Sequence, residues 1–249
     1  MGRLDGKTAF VTGAAGGLGR DISLAFADEG AVVGMADINA DLLREAVAGM
    51  PPGKALPFVC DVSDRAAVFK AIDGFARSAG RLDVLVNNAV YFHYGLLPDM
   101  AEDIVDKMLD VGLKGTLWSL QAATPHLIAA GGGSVINLSS VAVSFSIKTA
   151  AVYTCIKGAI DALTRQQAVE LGRHGIRVNA LAPGPVATPG SNSVIDEQGW
   201  ESRRSRTPLG RLATGTEIGA AAVFLASDDA RSIAGVTLKI DAAITVAGP

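Results

Sequence analysis

Tyr153 and Lys157 lie four residues apart in a stretch of helical composition running from about 150 to 172, so their side chains share one helix face. A free phenol ionises near about pH 10, and a neighbouring ammonium, helped by an oxidised nicotinamide, stabilises the phenolate and draws that value toward working pH. Such a tyrosine takes a proton from an alcohol or returns one to a carbonyl. Ser140 comes thirteen residues earlier, just beyond an apolar run that reads as a strand, where its hydroxyl can hold and polarise a substrate oxygen. A Tyr-x-x-x-Lys pair alone is more often a surface contact. Joined to Ser140 and to the glycine run described next, it specifies an acid–base centre.

Residues 12–19 read Thr-Gly-Ala-Ala-Gly-Gly-Leu-Gly, between the first strand-like run and a helix predicted to begin near Arg20. Gly13, Gly16, Gly17 and Gly19 permit a tight turn and close backbone approach, and the free N–H groups of a helix start attract a pyrophosphate. The spacing is T-G-x-x-x-G-x-G rather than G-x-G-x-x-G. Asp37 ends the second strand-like run, twenty residues after Gly17, placed to accept hydrogen bonds from the ribose hydroxyls of a dinucleotide. A 2′-phosphate there would meet a like charge. Ala14, Gly16, Ile38 and Asn39 supply no cation to offset it, so NAD is favoured over NADP.

Seven short apolar runs, at 8–12, 31–35, 55–60, 83–86, 134–138, 176–179 and 236–240, must position these groups. Helical patterns alternate with them, among them 65–78 behind the capping residue Asp64. That alternation predicts right-handed crossovers and strands covered on both faces. The expected fold is one doubly wound, Rossmann-type α/β domain over 1–249 with a seven-stranded, mostly parallel sheet. A segment from 185 to about 210, rich in Ser, Gly, Pro and charge and carrying Trp200, breaks the rhythm and is expected to be an irregular, mobile substrate lid.

Composition excludes several other classes. With 49% hydrophobic and 19% charged residues and a net charge of −3, the chain can fill a core, and it offers no basic stripe for nucleic acid. Cys60 and Cys155 lack the spacing of a zinc site or disulfide framework, which points to a reducing compartment and no metal. No apolar run approaches the roughly 18 residues that cross a bilayer. The charged opening residues leave no room for a signal peptide, so a cytoplasmic protein with no membrane partner is expected.

The glycine run, Ser140, Tyr153 and Lys157 together resemble the short-chain dehydrogenase/reductase family, and the resemblance spans Lys7 to Asp241. It implies that Ser140 orients substrate, that Tyr153 transfers the proton, and that Lys157 binds the nicotinamide ribose while tuning the tyrosine. By the same resemblance, Leu18 joins the glycines at the cofactor, Ile38 flanks Asp37, and Asp61-Val62 contacts adenine. Asn88-Ala89 matches part of the family's Asn-Asn-Ala-Gly motif, and Pro183, Gly184, Val186 and Thr188 match the loop that holds the nicotinamide carboxamide. A homo-oligomer, dimer or tetramer, is also implied.

Four residues, at three places in the chain, depart from the family pattern. Val90 stands where the motif has Gly, Ala242-Ala243 follow Asp241 where the family often has Gly-Gly, and Gly112 replaces the Asn that supports a water linking the Lys to solvent. An irregular helix at Gly112 would leave its carbonyl able to hold that water, and Gly112→Asn is expected to raise turnover if Val111 and Leu113 leave space, or to raise KM if substrate or a neighbouring side chain uses the vacated volume. His93, Tyr94, Phe145 and Trp200 are candidate substrate contacts, favouring an apolar or aromatic body around a secondary carbinol or ketone. Burial of that patch by the lid or another subunit is an equal alternative. Cys155 is expected to be a packed thiol off the Tyr153 face. The leading activity is NAD-dependent hydride transfer. The alternative is a dinucleotide-binding sensor or scaffold with little turnover.

Overall fold

The computed structural model describes residues 2–192 and 195–247. Its seven strands are β1 (Thr8–Thr12), β2 (Val32–Asp37), β3 (Ala55–Val59), β4 (Val84–Asn87), β5 (Gly133–Leu138), β6 (Ile176–Pro183) and β7 (Thr237–Ile240). They form one sheet in the order β3-β2-β1-β4-β5-β6-β7, with every neighbouring pair parallel. The order reverses between β1 and β4, and ligands of such sheets bind in the crevice beyond the strand ends at that point.

Connecting helices cover both faces: α1 (Gly17–Asp28), α2 (Ala40–Ala48), α3 (Arg65–Ala79), α4 (Glu102–Leu109), α5 (Gly115–Ala129) and α6 (Ala151–Gly172). After β6 come α7 (Pro189–Asn192), α8 (Glu197–Ser205) and α9 (Gly215–Ala226). Alternate strand residues feed two cores. Ala9, Val11, Val84 and Val86 pack with Ile22, Phe26, Ile218 and Val223 of α1 and α9. Phe10, Leu85, Val135 and Val178 pack with Ile72, Phe75, Leu120 and Leu127 of α3 and α5. Two buried faces explain why the strands read as continuous apolar runs. A smaller cluster, Met108, Val152, Ile156 and Ile160, ties α4 to α6 beneath Tyr153.

Two expectations need correction. The segment 185–210 is not irregular throughout, since it contains α7 and α8; residues 193 and 194 of it lie outside the described residues. Asp196 caps α8 by accepting from the Gly199 N–H, and Arg204 pairs with Glu197 and Glu201 along it, which are local interactions sufficient to organise a polar helix. Cys155 is indeed off the Tyr153–Lys157 face but is exposed, because it sits on the outer side of α6 rather than against the sheet.

Candidate active site

The glycine run turns sharply from β1 into α1. Gly13 and Gly17 take left-handed backbone angles, φ +64° and +51°, which L side chains rarely adopt. Gly19 is required for a different reason, because a Cβ there would lie 2.1 Å from the Gly13 carbonyl oxygen. The cap residue Gly16 places no side chain over the start of α1, so the helix presents open N–H groups. Asn88 and Thr12 brace this turn. The Asn88 amide donates to the Thr12 and Gly13 carbonyls at 3.0 and 2.9 Å, and the Thr12 hydroxyl accepts from the N–H groups of Asn88 and Ala89. Asn88 thus shapes the cradle through its amide, and Thr12 is a bracing residue that motif reading passed over.

Asp37 stands at the end of β2, accepting from the Ala15 N–H at 3.1 Å and the Asn39 N–H at 3.0 Å. Ile38 beside it is largely exposed. Asp61 folds back on Ser63, and Val62 is buried where α5 begins; Gly115 permits that approach, since its Cβ would lie 2.9 Å from Val62. From β6, Gly184 passes so close to β7 that a Cβ would lie 2.8 Å from the Asp241 backbone. Pro183 closes β6, and the Val186 side chain joins the core. Thr188 exchanges hydrogen bonds with Ser191, and its Cβ lies 3.6 Å from the position a Gly17 side chain would take. The loop after β6 therefore closes over the glycine turn. Open helix N–H groups, a carboxylate at the second strand end and this overhanging loop fit a dinucleotide.

Ser140 and Tyr153 meet at the end of β5, the Ser140 hydroxyl close enough to favour ionisation of the Tyr153 phenol. The Ser140 oxygen also caps a 3-10 turn at Val141–Val143 through the Ala142 N–H. Lys157 is buried, its ammonium 5.7 Å from the centre of the Tyr153 ring and donating to the Leu138 carbonyl at 2.5 Å. The Ser139 hydroxyl, unremarked in the sequence, donates to the Lys157 carbonyl and pins α6 to β5.

Without the cofactor, burial governs the electrostatics of the pair. Burial pushes the Tyr153 phenol up to about 12, outweighing the nearby Ser140 hydroxyl that lowers it, with a small further rise from Tyr94. Burial also pushes the Lys157 ammonium down to about 8. At neutral pH the phenol is therefore protonated and the ammonium charged, with Lys157 donating to a backbone carbonyl; a bound oxidised nicotinamide would add the further positive charge that lowers the phenol.

The chain does deform at Gly112. A π turn, Asp110–Lys114, joins α4 to α5, and the Gly112 carbonyl accepts from the Thr116 hydroxyl at 2.9 Å. A Cβ on Gly112 would lie 3.0 Å from a methyl of Ile156. The residue that limits an Asn at 112 is thus Ile156, on the helix carrying Tyr153 and Lys157, rather than Val111 or Leu113. Of the two expected outcomes for Gly112→Asn, this contact favours the steric one, with Ile156 as the neighbouring side chain that uses the vacated volume.

The substrate candidates separate. Tyr94 packs edge-on against Tyr153, ring centres 6.2 Å apart, and against Phe92 at 5.8 Å. Phe92 in turn lies 3.5 Å from where a Gly190 side chain would start, which brings α7 onto the same wall. Phe145 is exposed just beyond the 3-10 turn. His93 is exposed, its ring beside Gly95. Trp200 is buried on α8 with the Arg203 guanidinium 5.8 Å from its ring. Tyr91 is covered by Lys107 at 4.3 Å and packs in the α4–α6 cluster. Thr149, a β-branched residue at φ +66°, accepts from the Gly95 N–H at 2.9 Å and links the aromatic segment to the start of α6.

A family model described as enoyl-(acyl carrier protein) reductase matches residues 13–245. The chain is 37% identical to the 3-oxoacyl-(acyl-carrier-protein) reductase of Thermotoga maritima over 247 residues, covering 98% of this chain and all of that protein. It is 37% identical to the D-threitol dehydrogenase of Mycolicibacterium smegmatis, covering 98% of this chain and 95% of that one. A solved 7α-hydroxysteroid dehydrogenase, complexed with NADH and 7-oxo glycochenodeoxycholic acid, superposes with a TM-score of 0.93 at 31% identity, over 96% of this chain and 94% of that chain. The chain belongs to the short-chain dehydrogenase/reductase family, and its relatives are oxidoreductases. Among the described residues no helix is long and apolar enough to cross a membrane.

Proposed function

We propose that the chain is an NAD-dependent dehydrogenase of secondary alcohols, or reductase of the matching ketones, whose substrate has an apolar or aromatic body. The observation that carries the reading is the junction of Ser140, Tyr153 and Lys157 at one strand end beside the glycine turn. A bound nicotinamide would exchange hydride with the carbinol carbon. Ser140 holds the substrate oxygen, Tyr153 takes or returns its proton, and Lys157 keeps a positive charge near the phenol.

Asp37 supports NAD over NADP, since its carboxylate occupies the second strand end and Ile38 brings no cation. Phe92, Tyr94 and Phe145 support an apolar body, as do relatives that include a hydroxysteroid dehydrogenase. Exposed Val169 on α6 and Ile128 on α5 support pairing of these helices in a homo-oligomer, which sedimentation at micromolar concentration tests. A cytoplasmic location agrees with the exposed free thiol of Cys155.

The deciding experiment follows NADH absorbance with a panel of secondary alcohols and ketones. Turnover with NAD(H) exceeding that with NADP(H) supports the reading. Tight cofactor binding without turnover would favour the sensor instead.

A further inference from the structure

The loop that overhangs the glycine turn is tied together by one hydroxyl, that of Ser191 on the four-residue helix α7. Its oxygen accepts from the Thr188 N–H at 2.8 Å, and it lies 2.8 Å from the Val186 carbonyl oxygen and 3.1 Å from the Thr188 hydroxyl. The Ser191 N–H donates to that Thr188 hydroxyl in return, at 3.2 Å.

Counting hydrogens fixes the direction of each bond. A carbonyl only accepts, so the single Ser191 hydroxyl proton goes to Val186, the shorter of its two carbonyl contacts. The other, the Thr188 carbonyl at 3.1 Å, already accepts from the Asn192 N–H at 2.9 Å. The Thr188 hydroxyl is then the donor in its pair with Ser191. With its proton turned inward and one lone pair on the Ser191 N–H, Thr188 has only an acceptor left to present to the crevice.

The position of this loop says what that acceptor meets. Thr188 stands 3.6 Å from where a Gly17 side chain would start, at the phosphate cradle. Two residues on, a Gly190 side chain would start 3.5 Å from Phe92, whose ring packs on Tyr94 and through it on Tyr153. The span from Thr188 to Gly190 thus bridges the glycine turn and the proton-transferring tyrosine, and a nicotinamide joining the two lies beneath it.

We infer that Ser191 is a positioning residue for the cofactor: it holds Thr188 over the nicotinamide and fixes the Thr188 hydroxyl as an acceptor, which selects the NH2 of the carboxamide. This rests on the reading that the crevice binds NAD. A ring substituent that offers only a carbonyl finds no donor in Thr188.

Calorimetric titration with three ligands tests it: NAD, its 3-acetylpyridine analogue, in which a methyl replaces the carboxamide NH2, and ADP-ribose, which has no nicotinamide. The wild type should bind NAD about threefold to tenfold more tightly than the analogue, the worth of one neutral hydrogen bond, and Ser191→Ala should close that gap by weakening NAD alone. Ser191→Thr keeps the hydroxyl and should retain most of the preference. In a Thr188→Val background, Ser191→Ala should change NAD binding little, because the residue acts through the Thr188 hydroxyl. Equal weakening of all three ligands by Ser191→Ala would mark a cap of α7 and nothing more, and would overturn the assignment, as would an unchanged NAD affinity. ADP-ribose binding reports that each variant is folded. A wild type that binds none of the three fails the cofactor reading itself and the role of Ser191 with it, a result distinct from loss of the preference alone.

Discussion

The cofactor side and the substrate side of the crevice are made of different material. Around β1, α1 and β2 the functional groups are backbone N–H groups, missing side chains and one carboxylate, fixed by positive φ angles and by the Thr12–Asn88 brace. Across the crevice, the proposed substrate wall is made of side chains: Phe92 and Tyr94 after β4, packed toward Tyr153, with Phe145 after β5 and Trp200 on α8 as further candidates. Family departures fall on both sides, at Val90 after the Asn88–Ala89 brace, at Ala242-Ala243 beyond β7 and at Gly112 beside the catalytic helix, while the glycine run is intact. A backbone cradle tolerates little change because each substitution meets a steric wall, whereas a side-chain wall can be rebuilt residue by residue.

The sharpest test of this division is Tyr153→Phe. Loss of the acid–base hydroxyl is expected to reduce turnover by about 10²- to 10⁴-fold while NADH affinity, measured by fluorescence titration, stays near that of the wild type. Comparable losses in both would mean that the two sides are not separable.

Lys157 spans the two sides and carries a stability cost with a definite pH signature. Its pKa falls from 10.5 to about 8 on folding, so the protonated form favours the unfolded chain. The penalty is fully present below pH 8, on the order of 3 kcal/mol as an upper bound, and vanishes as pH rises through 10.5. Lys157→Met should therefore gain stability relative to the wild type most at pH 7 and progressively less at pH 9 and 10, in urea denaturation. A difference independent of pH would show that the lysine is not desolvated as described.

On the cofactor side, Asp37→Ser with Ile38→Arg should move the NADP/NAD ratio of kcat/KM upward by roughly tenfold to hundredfold, since it removes repulsion and adds a charged partner for the 2′-phosphate. Serine keeps an acceptor for the Ala15 N–H, so the turn should survive. An unmoved ratio places ribose recognition elsewhere.

On the substrate side, Gly112→Asn should destabilise by about 1–3 kcal/mol through overpacking against Ile156, whose methyl lies 3.0 Å from the new Cβ. Ile156→Ala combined with it should recover part of that loss in a double-mutant cycle. Additive effects would break the coupling between the π turn and the catalytic helix.

The smallest effect belongs beyond β7. Ala242 and Ala243 both adopt left-handed angles, φ 51° and 71°, where the family pattern has glycine. Each Ala→Gly change should stabilise by about 0.5–1 kcal/mol, relieving strain that exceeds the entropy glycine adds. Tm shifts of the single and double variants check it, and a fall in Tm would refute it.

The sequence by itself determined the sheet, because strands buried on both faces must be apolar throughout, and 8–12 coincides with β1 to the residue. It also determined the cap at Asp64, which accepts from Ala66 and Ala67, and the helix carrying Tyr153 and Lys157, since one-turn spacing is local geometry. Tertiary structure alone decided that Ile156 fills the space beside Gly112, that Lys157 turns to the Leu138 carbonyl, and that Arg204 takes the ion pairs with Glu197 and Glu201. Those contacts join residues far apart in the chain or choose between chemically equal neighbours. Local periodicity and propensity carry no information about either, because the deciding quantity is which side chain the packed fold leaves within a few ångströms of another.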